Sequence, residues 1–291
     1  MEYDYMIITE STANLPAEMI EKYEIPVLAL NYYVDGEEVK GYQDGKPMDL
    51  VPFYTMMREK KSISTAQVGM DDARAIIEPC LRAGKDVLYL GFSSGLSGTY
   101  QAVSLVIQEL GEEYPQRKIY GFDSRAAALG EGLLVYYLVH NREQGMSLEE
   151  NYEWLQEHWK NACHWFTVDD LFFLKRGGRI SASTAVIGTA LNIKPVLHVD
   201  DEGHLIAMGN VRGRRKSLDA LVKHMEETVI EPDNQTVFIS HGDCLEDAEY
   251  VAKKVREKFP VQDVVIHILD PVIGAHSGPG TVALFFMGTH R

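Results

Sequence analysis

The fold is decided by the stretch Val87-Leu88-Tyr89-Leu90-Gly91-Phe92-Ser93-Ser94-Gly95-Leu96-Ser97-Gly98-Thr99-Tyr100, in which an apolar run leads into a turn rich in glycine and serine. The apolar run predicts a buried strand, and residues 101–110 continue with the apolar spacing of a helix. Backbone N–H groups at the start of such a helix, together with its dipole, attract anions. The hydroxyls of Ser93, Ser94, Ser97 and Thr99 would add uncharged donors, although serine also commonly caps helices. We therefore expect this turn to hold a small anion.

The same turn also has a catalytic interpretation. The residues Gly91-Phe92-Ser93-Ser94-Gly95 match the G-x-S-x-G nucleophile elbow of α/β-hydrolases, and Asp243 and His276 follow in the chain order of a catalytic triad. Against it, a pattern with two fixed glycines often arises by chance, and no HGGG-type oxyanion segment lies upstream. A serine esterase that uses Ser93 is therefore the alternative hypothesis.

Short apolar runs alternate with helical patterns along the chain, which predicts an α/β fold of parallel sheets with helices on both faces. The residues Asp200-Asp201-Glu202-Gly203 predict a hairpin, so the sheet of the second half should be mixed. A length of 291 residues favours two domains, which we place at residues 1–162 and 163–291, after a surface helix at Leu148–Asn161. The predicted strands are Tyr5–Thr9, Ile25–Val34, Val87–Phe92, Lys118–Asp123, Trp165–Val168, Lys194–Asp200, His204–Val211, Val237–Ser240, Val264–Leu269 and Leu284–Met287.

The composition argues against several classes of protein. Acidic residues outnumber basic ones by 43 to 28, and the net charge of -15 disfavours nucleic acid and anionic membranes as partners. The three cysteines form no C-x-x-C pair and the histidines have no metal-binding spacing, so we expect neither a disulfide framework nor a metal. The sequence contains no long apolar run and no basic leader, so the expected location is the cytoplasm.

Two further clusters combine glycine with basic side chains, Lys175-Arg176-Gly177-Gly178-Arg179 and Gly274-Ala275-His276-Ser277-Gly278-Pro279-Gly280. Clustered glycines indicate tight turns or close approach to a ligand, and paired arginines bind carboxylate or phosphate groups. The simpler alternatives are a solvated basic loop and a histidine that only satisfies local hydrogen bonds. The chain has no Walker A loop, which disfavours a nucleotide-driven enzyme.

Together these motifs resemble the DegV family of bacterial fatty-acid-binding proteins over nearly the whole chain. The opening Glu10-Ser11-Thr12-Ala13-Asn14-Leu15-Pro16 is similar to the family's D-S-T-x-D-L-P, with Glu10 in place of the usual Asp. The turn Ser93–Tyr100 is similar to the family's S-S-x-L-S-G-T-Y. Further matches are Asp123-Ser124-Arg125, Leu174-Lys175-Arg176-Gly177-Gly178-Arg179-Ile180 and the glycine-rich segment Gly274–Gly280.

The resemblance implies a two-domain α/β protein that buries one long-chain fatty acid, such as palmitate, stearate or oleate, between its domains. Such a protein is a carrier with no catalytic residues, no cofactor and no metal. It presents the carboxylate of its ligand to a separate fatty acid kinase, which makes acyl phosphate for phospholipid synthesis. A weaker third interpretation is an interaction module that uses the negative charge of the chain.

The resemblance also assigns residues by position. Thr65, Ser93 and Ser94 match the family's carboxylate-binding residues. The basic residues that the family places near the head group and the phosphorylated product match Arg179, Arg212 and His276 of this chain. Ala66 and Val68 replace the Ser and Pro of the family's T-S-Q-P segment, so one hydroxyl is missing beside Thr65.

Overall fold

The computed structural model describes residues 3–43, 46–47, 49–181 and 192–291. Its strands are β1 (Tyr5–Glu10), β2 (Val27–Leu28), β3 (Asn31–Val34), β4 (Glu37–Lys40), β5 (Tyr42–Gln43), β6 (Lys46–Pro47), β7 (Ile63–Thr65), β8 (Asp86–Gly91), β9 (Ile119–Asp123), β10 (Ala162–Thr167), β11 (Ile193–Val199), β12 (Leu205–Arg212), β13 (Thr236–His241), β14 (Asp263–Ile268) and β15 (Val282–Met287). Its α-helices are α1 (Ala17–Lys22), α2 (Val51–Arg58), α3 (Met70–Arg82), α4 (Thr99–Glu113), α5 (Leu129–Glu143), α6 (Leu148–His158), α7 (Phe172–Arg176), α8 (Arg214–Thr228), α9 (Leu245–Lys258) and α10 (Pro271–Ser277). The predicted α/β class is confirmed.

The first large sheet is parallel and has the strand order β2-β1-β8-β9. Strand β8 is central and almost entirely buried, as expected for an apolar run covered on both faces. The predicted strand Ile25–Val34 is split, because its first part pairs with β1 while Asn31–Val34 pairs with β4 and β7 in a separate antiparallel sheet. The chain leaves the first sheet at Leu30, whose N–H donates to Ser11 Oγ at 3.1 Å.

The second large sheet has six strands in the order β12-β11-β10-β15-β13-β14 and is mixed. Strands β13 and β14 pair in parallel, whereas β11 and β12 form the predicted antiparallel hairpin. The Asp200–Gly203 turn is closed by the Gly203 N–H, which donates to the Asp200 carbonyl at 2.9 Å. The hairpin and the mixed character of this sheet are therefore confirmed.

Helix α5 joins the two sheets, since it packs on β1 and β8 of the first and on β10, β13 and β15 of the second. The largest buried cluster accordingly contains Leu88 from the first sheet, Leu133 from α5, and Phe166 and Phe285 from the second. Apolar contact is continuous between the two halves of the chain. Strand β10 begins at Ala162, where the second sheet starts, and the domain limits at residues 162 and 163 stay a prediction.

Two local signals in the sequence predict helix ends. Ser147, followed three residues later by Glu150, predicts a capping box. The Ser147 hydroxyl accepts from the Glu150 N–H at 3.3 Å and the Glu150 carboxylate accepts from the Ser147 N–H at 2.8 Å, so α6 begins with this box. Gly84 follows α3 with a φ of +79°, a conformation that favours glycine. Helix α3 continues through Pro79 as one helix.

Candidate functional site

The glycine- and serine-rich turn lies between β8, which ends at Gly91, and α4, which begins at Thr99. Its backbone is fixed by its own hydrogen bonds, because the N–H groups of Leu96 and Ser97 both donate to the Ser93 carbonyl. The Thr99 N–H donates to Ser97 Oγ at 3.2 Å. The strand-turn-helix arrangement predicted from the sequence is therefore present.

The predicted donors Ser93 and Ser94 are not among the residues that line the cavity described below. Ser93 is fully buried, and its hydroxyl donates to the Gly203 carbonyl at 2.9 Å and accepts from the Gly95 N–H at 3.1 Å. The Ser94 N–H donates to the Asp123 carboxylate at 3.2 Å. The Ser93 hydroxyl is thus used to fasten the hairpin β11–β12 to the turn.

The cavity lies between the two large sheets, and the space that the centre of a water molecule can reach within it is about 210 Å³. The first half of the chain contributes Thr65, Phe92 and the turn residues Leu96, Ser97 and Gly98 to its wall. The second half contributes the faces of β10 and β15, together with α10. The apolar residues that the second half places on the wall include Phe166, Leu174, Val199, Leu205, Ala283 and Phe285.

One end of the cavity is polar. Thr65 Oγ1 and His276 Nε2 share a hydrogen bond of 2.8 Å, and Ser97 and Arg179 line the wall with them. Burial, together with the charges of Arg179 and Arg176, lowers the pKa of His276 to about 4, so this imidazole is neutral at pH 7. Arg179 Nε donates to the Leu96 carbonyl at 3.1 Å. This end of the cavity therefore offers hydroxyl groups, a neutral imidazole and one guanidinium.

Most of the remaining cavity wall is apolar. Strand β15 contributes Ala283 and Phe285 to it. His164 pairs with Phe285 across β10 and β15, and burial lowers its pKa well below the usual range, so this imidazole is also neutral. The cavity thus combines one polar end with a long apolar wall, the chemistry of an amphipathic ligand.

The structure brings together Thr65, Arg179 and His276 on the cavity wall, whereas Arg212 does not line the cavity. Arg212 is exposed at the end of β12. Ser97 is the hydroxyl of the turn that faces the cavity, and the sequence indicated it only as one of several donors. Which hydroxyl faces a cavity depends on the path of the turn, which no local pattern determines.

The residues of the predicted catalytic triad do not meet. His276 is hydrogen-bonded to Thr65 rather than to Ser93, whose hydroxyl donates to the Gly203 carbonyl. Asp243 forms an ion pair with Arg58 at 2.5 Å. A triad requires the base within hydrogen-bond reach of the nucleophile and the acid on the other ring nitrogen. The arrangement therefore gives no structural basis for an esterase.

Sequence reasoning missed a buried carboxyl pair behind the turn. Glu10 and Glu131 are both buried, and the Thr12 hydroxyl lies 3.2 Å from an oxygen of each. Glu10 also accepts from the Tyr89 hydroxyl and from the Phe92 N–H. Burial raises the pKa of Glu10 to about 7, and burial together with the Glu10 charge raises the pKa of Glu131 well above its ordinary value. The single Thr12 proton serves two carboxyl groups, so one of them must carry a proton to complete both contacts.

Within the described part of the chain, no group of three or more His, Cys, Asp or Glu side chains is arranged to hold a metal ion. Among the same residues, no helix is long and apolar enough to cross a membrane.

Comparison with known proteins gives matches over the whole chain. Residues 4–289 match the family described as uncharacterised proteins of the DegV family. A DegV domain-containing protein from Clostridium perfringens is 44% identical over 286 residues, which cover 98% of this chain and 97% of the relative. A DegV domain-containing protein from Lactococcus lactis is 36% identical over 97% of this chain and 96% of the relative.

Solved structures agree with this assignment. A DegV lipid-binding protein from Thermotoga maritima has a TM-score of 0.87 at 28% identity and 99% coverage of both chains. A DegV family protein from Thermus thermophilus, described by its fatty acid binding, has a TM-score of 0.87 at 29% identity, covering 98% of this chain and 99% of the other. DegV of Bacillus subtilis, a fatty acid binding protein, has a TM-score of 0.83 at 26% identity, covering 99% and 100%. With a family match from residue 4 to 289 and relatives of this similarity, the chain belongs to the DegV family.

Proposed function

We propose that this protein binds one long-chain fatty acid, such as palmitate, stearate or oleate, in the cavity between its two large sheets. The observation that carries the proposal is the pairing of a polar end, at Thr65 and His276, with a long apolar wall. The fatty acid and lipid binding described for relatives from Thermus thermophilus and Thermotoga maritima supports it. The protein is then a carrier without catalytic residues of its own.

The carboxylate of the ligand would lie at the polar end. Thr65 and Ser97 offer hydroxyl donors there. With the proton of the neutral His276 on Nε2, the ring donates to Thr65 Oγ1 and leaves the Thr65 proton for the carboxylate. We favour Ser97 over the predicted Ser93 and Ser94, because Ser97 lines the cavity while the Ser93 hydroxyl is held by Gly203. Neutral donors satisfy a carboxylate while leaving more electron density on its oxygens than an arginine fork would.

Uncharged donors suit a carboxylate that is to be phosphorylated, because they leave electron density on the oxygen that attacks. We propose that a partner fatty acid kinase transfers the terminal phosphoryl group of ATP to a carboxylate oxygen, releasing ADP and leaving an acyl phosphate for phospholipid synthesis. The product carries more negative charge than the carboxylate. Arg179 at the polar end and the exposed Arg212 are the basic residues we assign to the product and to its surroundings.

The apolar wall supplies most of the affinity. Burying roughly fourteen methylenes at about 0.8 kcal/mol each contributes on the order of 11 kcal/mol before the cost of association. A single charge-assisted hydrogen bond contributes about 1.5–3 kcal/mol. The polar end therefore orients the ligand, and the acyl chain holds it.

Mass spectrometry of the protein purified from bacteria should find a co-purified acyl chain, and stripped protein should bind added oleate. Thr65→Val and Ser97→Ala should each weaken oleate binding about tenfold, because each removes one donor to the carboxylate. Ser104→Ala is the matched control, since the Ser104 hydroxyl donates to the Tyr100 carbonyl within α4 and does not line the cavity. Protein that is empty and ignores both palmitate and oleate would refute the proposal.

Two further measurements separate the carrier from its alternatives. Arg212→Glu should lower acyl phosphate formation by the kinase more than it lowers fatty-acid binding, because Arg212 lies outside the cavity. Equal loss of both would contradict the role given to Arg212. A fluorophosphonate probe should leave Ser93 unlabelled, since this hydroxyl is buried and has no histidine partner. Labelling at Ser93 would favour the esterase.

A further inference from the structure

Strand β12 lies at the edge of the six-stranded sheet. Within the described part of the chain, β11 is its one strand neighbour, so its other side offers unpaired backbone N–H and C=O groups. Residues 207–210 are all exposed, whereas the residues of β11 that pair with this stretch are buried. The sheet therefore ends in an open and accessible edge.

The sequence of β12 lacks the residues by which edge strands usually avoid pairing. Natural edges often carry Lys, Pro or an inward-pointing charge that blocks a second strand. Residues 205–211 read Leu-Ile-Ala-Met-Gly-Asn-Val, with no charge and no proline. A bulge at Met208, which has no partner in β11, divides the edge into two short ladders. Met208 is 52% exposed and is the large apolar side chain that this edge presents to solvent.

Both ends of β12 are fastened to the body of the protein. Before its start, the Gly203 carbonyl accepts from the Ser93 hydroxyl at 2.9 Å. After its end, the Gly213 N–H donates to the Asn192 carbonyl at 2.8 Å. A strand held at both ends loses little conformational freedom when it pairs with another strand, which lowers the cost of association.

Opposite charges flank the uncharged stretch of β12. Exposed acidic side chains precede it at Asp201 and Glu202, and exposed basic side chains follow it at Arg212, Arg215 and Lys216. When two copies of this strand pair antiparallel, the acidic end of each lies beside the basic end of the other, whereas parallel pairing places like charges together. Each copy then presents the same patch to its partner, as a two-fold axis requires. The charge pattern therefore favours a second copy of this chain as the occupant of the edge.

We propose that two copies of this protein associate through β12, paired antiparallel about a two-fold axis between Met208 and Gly209. The two six-stranded sheets then join into one continuous sheet. Leu205 of each copy lies opposite Arg212 of the other, and the two Met208 side chains meet near the axis. Neither Met208 nor Arg212 lines the cavity, so this association and the proposed fatty-acid binding can be tested separately.

Sedimentation equilibrium of the wild type should give a mass that rises with concentration from 32.8 kDa toward twice that value. Met208→Lys should raise the dissociation constant of the dimer about tenfold or more, because two like charges then meet at the axis. Leu245→Lys is the matched control, since Leu245 on α9 is 50% exposed and lies outside β12. Wild-type protein that stays at 32.8 kDa at every concentration, or equal effects of the two lysines, would overturn the inference.

An exchange of charges tests the antiparallel pairing itself. Arg212→Glu and Glu202→Arg should each weaken the dimer about tenfold, because each reversal acts twice about the axis. The double variant should recover the wild-type dissociation constant, since the two ends attract each other again with their signs exchanged. Lys60→Glu, at an exposed position after α2, changes the net charge as much as Arg212→Glu and should leave the dimer intact. A double variant as weak as the single ones refutes the pairing.

Discussion

Replacing Glu10 with glutamine should make the stability of this protein less sensitive to pH. Glu10 is buried beside Glu131, and the two carboxyl groups share the Thr12 hydroxyl. The glutamine side chain of Glu10→Gln would keep an oxygen to accept from the Tyr89 hydroxyl and the Phe92 N–H. Its amide nitrogen would donate to the Thr12 hydroxyl, which is then free to donate to Glu131. The substitution therefore preserves the hydrogen bonds and removes one titrating group.

The magnitude follows from the pKa of Glu10, which burial raises from 4.5 to about 7. Below pH 4.5 the carboxyl is protonated in both the folded and the unfolded chain, so it adds no cost. Between pH 4.5 and 7 the unfolded chain releases this proton while the folded protein keeps it, and the free energy of unfolding falls as pH rises. A shift of about 2.5 pH units corresponds to about 3 kcal/mol.

Urea denaturation of the wild type and Glu10→Gln at pH 4.5 and pH 8 measures this difference. The free energy of unfolding of Glu10→Gln should rise relative to that of the wild type by at least about 3 kcal/mol between the two pH values, because loss of the Glu10 charge also lowers the pKa of Glu131. Asp270, whose pKa burial also raises to about 7, is present in both proteins and cancels. Glu153→Gln, at an exposed position on α6, is the control and should follow the wild type. The reasoning fails if Glu10→Gln and the wild type depend on pH alike.

Three further predictions concern stability and protonation. Gly130→Ala should lower the free energy of unfolding, measured in urea, by about 1–3 kcal/mol, because the new Cβ would overlap His164 Nε2. Gly111→Ala should raise it by about 0.5–1 kcal/mol, because a Cβ at this position in α4 meets nothing within 4 Å. Equal effects of the two substitutions would refute the packing argument. Ser147→Ala should cost about 1 kcal/mol by removing the cap of α6, and an unchanged melting temperature would argue against it. NMR titration of His276 should give a pKa of about 4. Because the unfolded chain takes up this proton at higher pH than the folded protein, the free energy of unfolding should fall as pH drops from 6.5 toward 4. A titration midpoint near 6.5 would contradict a buried, neutral imidazole.

In the serine-rich turn, the predicted ligand donors differ from the hydroxyl that lines the cavity, and one hydrogen bond explains the difference. The sequence motif makes Ser93 and Ser94 the natural donors to a carboxylate. In the folded protein the Ser93 hydroxyl instead donates to Gly203, a residue 110 positions away. Gly203 has a φ of +81°, and a Cβ there would overlap Ser93 Oγ, so the contact depends on glycine. The turn therefore contributes Ser97 to the cavity and uses Ser93 to bind the hairpin.

Local physical chemistry explains why the sequence alone predicted most of the fold. Strands such as β8 have apolar runs flanked by glycine, and helix α6 begins with a capping box, so both features depend on neighbours within a few residues. The hairpin β11–β12 is likewise encoded by its own turn. The sequence motifs were sufficient to indicate the family, and the resemblance assigned Thr65 and His276 by position. The structure places Thr65 Oγ1 and His276 Nε2 2.8 Å apart.

Only the tertiary structure decided which polar groups face the ligand cavity and which are used to hold the protein together. Ser93 and Ser97 are four residues apart in one turn, yet one is fastened to Gly203 and the other lines the cavity. Glu10 and Glu131 are 121 residues apart and meet through the Thr12 hydroxyl. Contacts of this kind depend on the packing of distant segments, in which burial shifts pKa values and selects hydrogen-bond partners. Local sequence patterns determine the strands and helices, and packing between them determines the site.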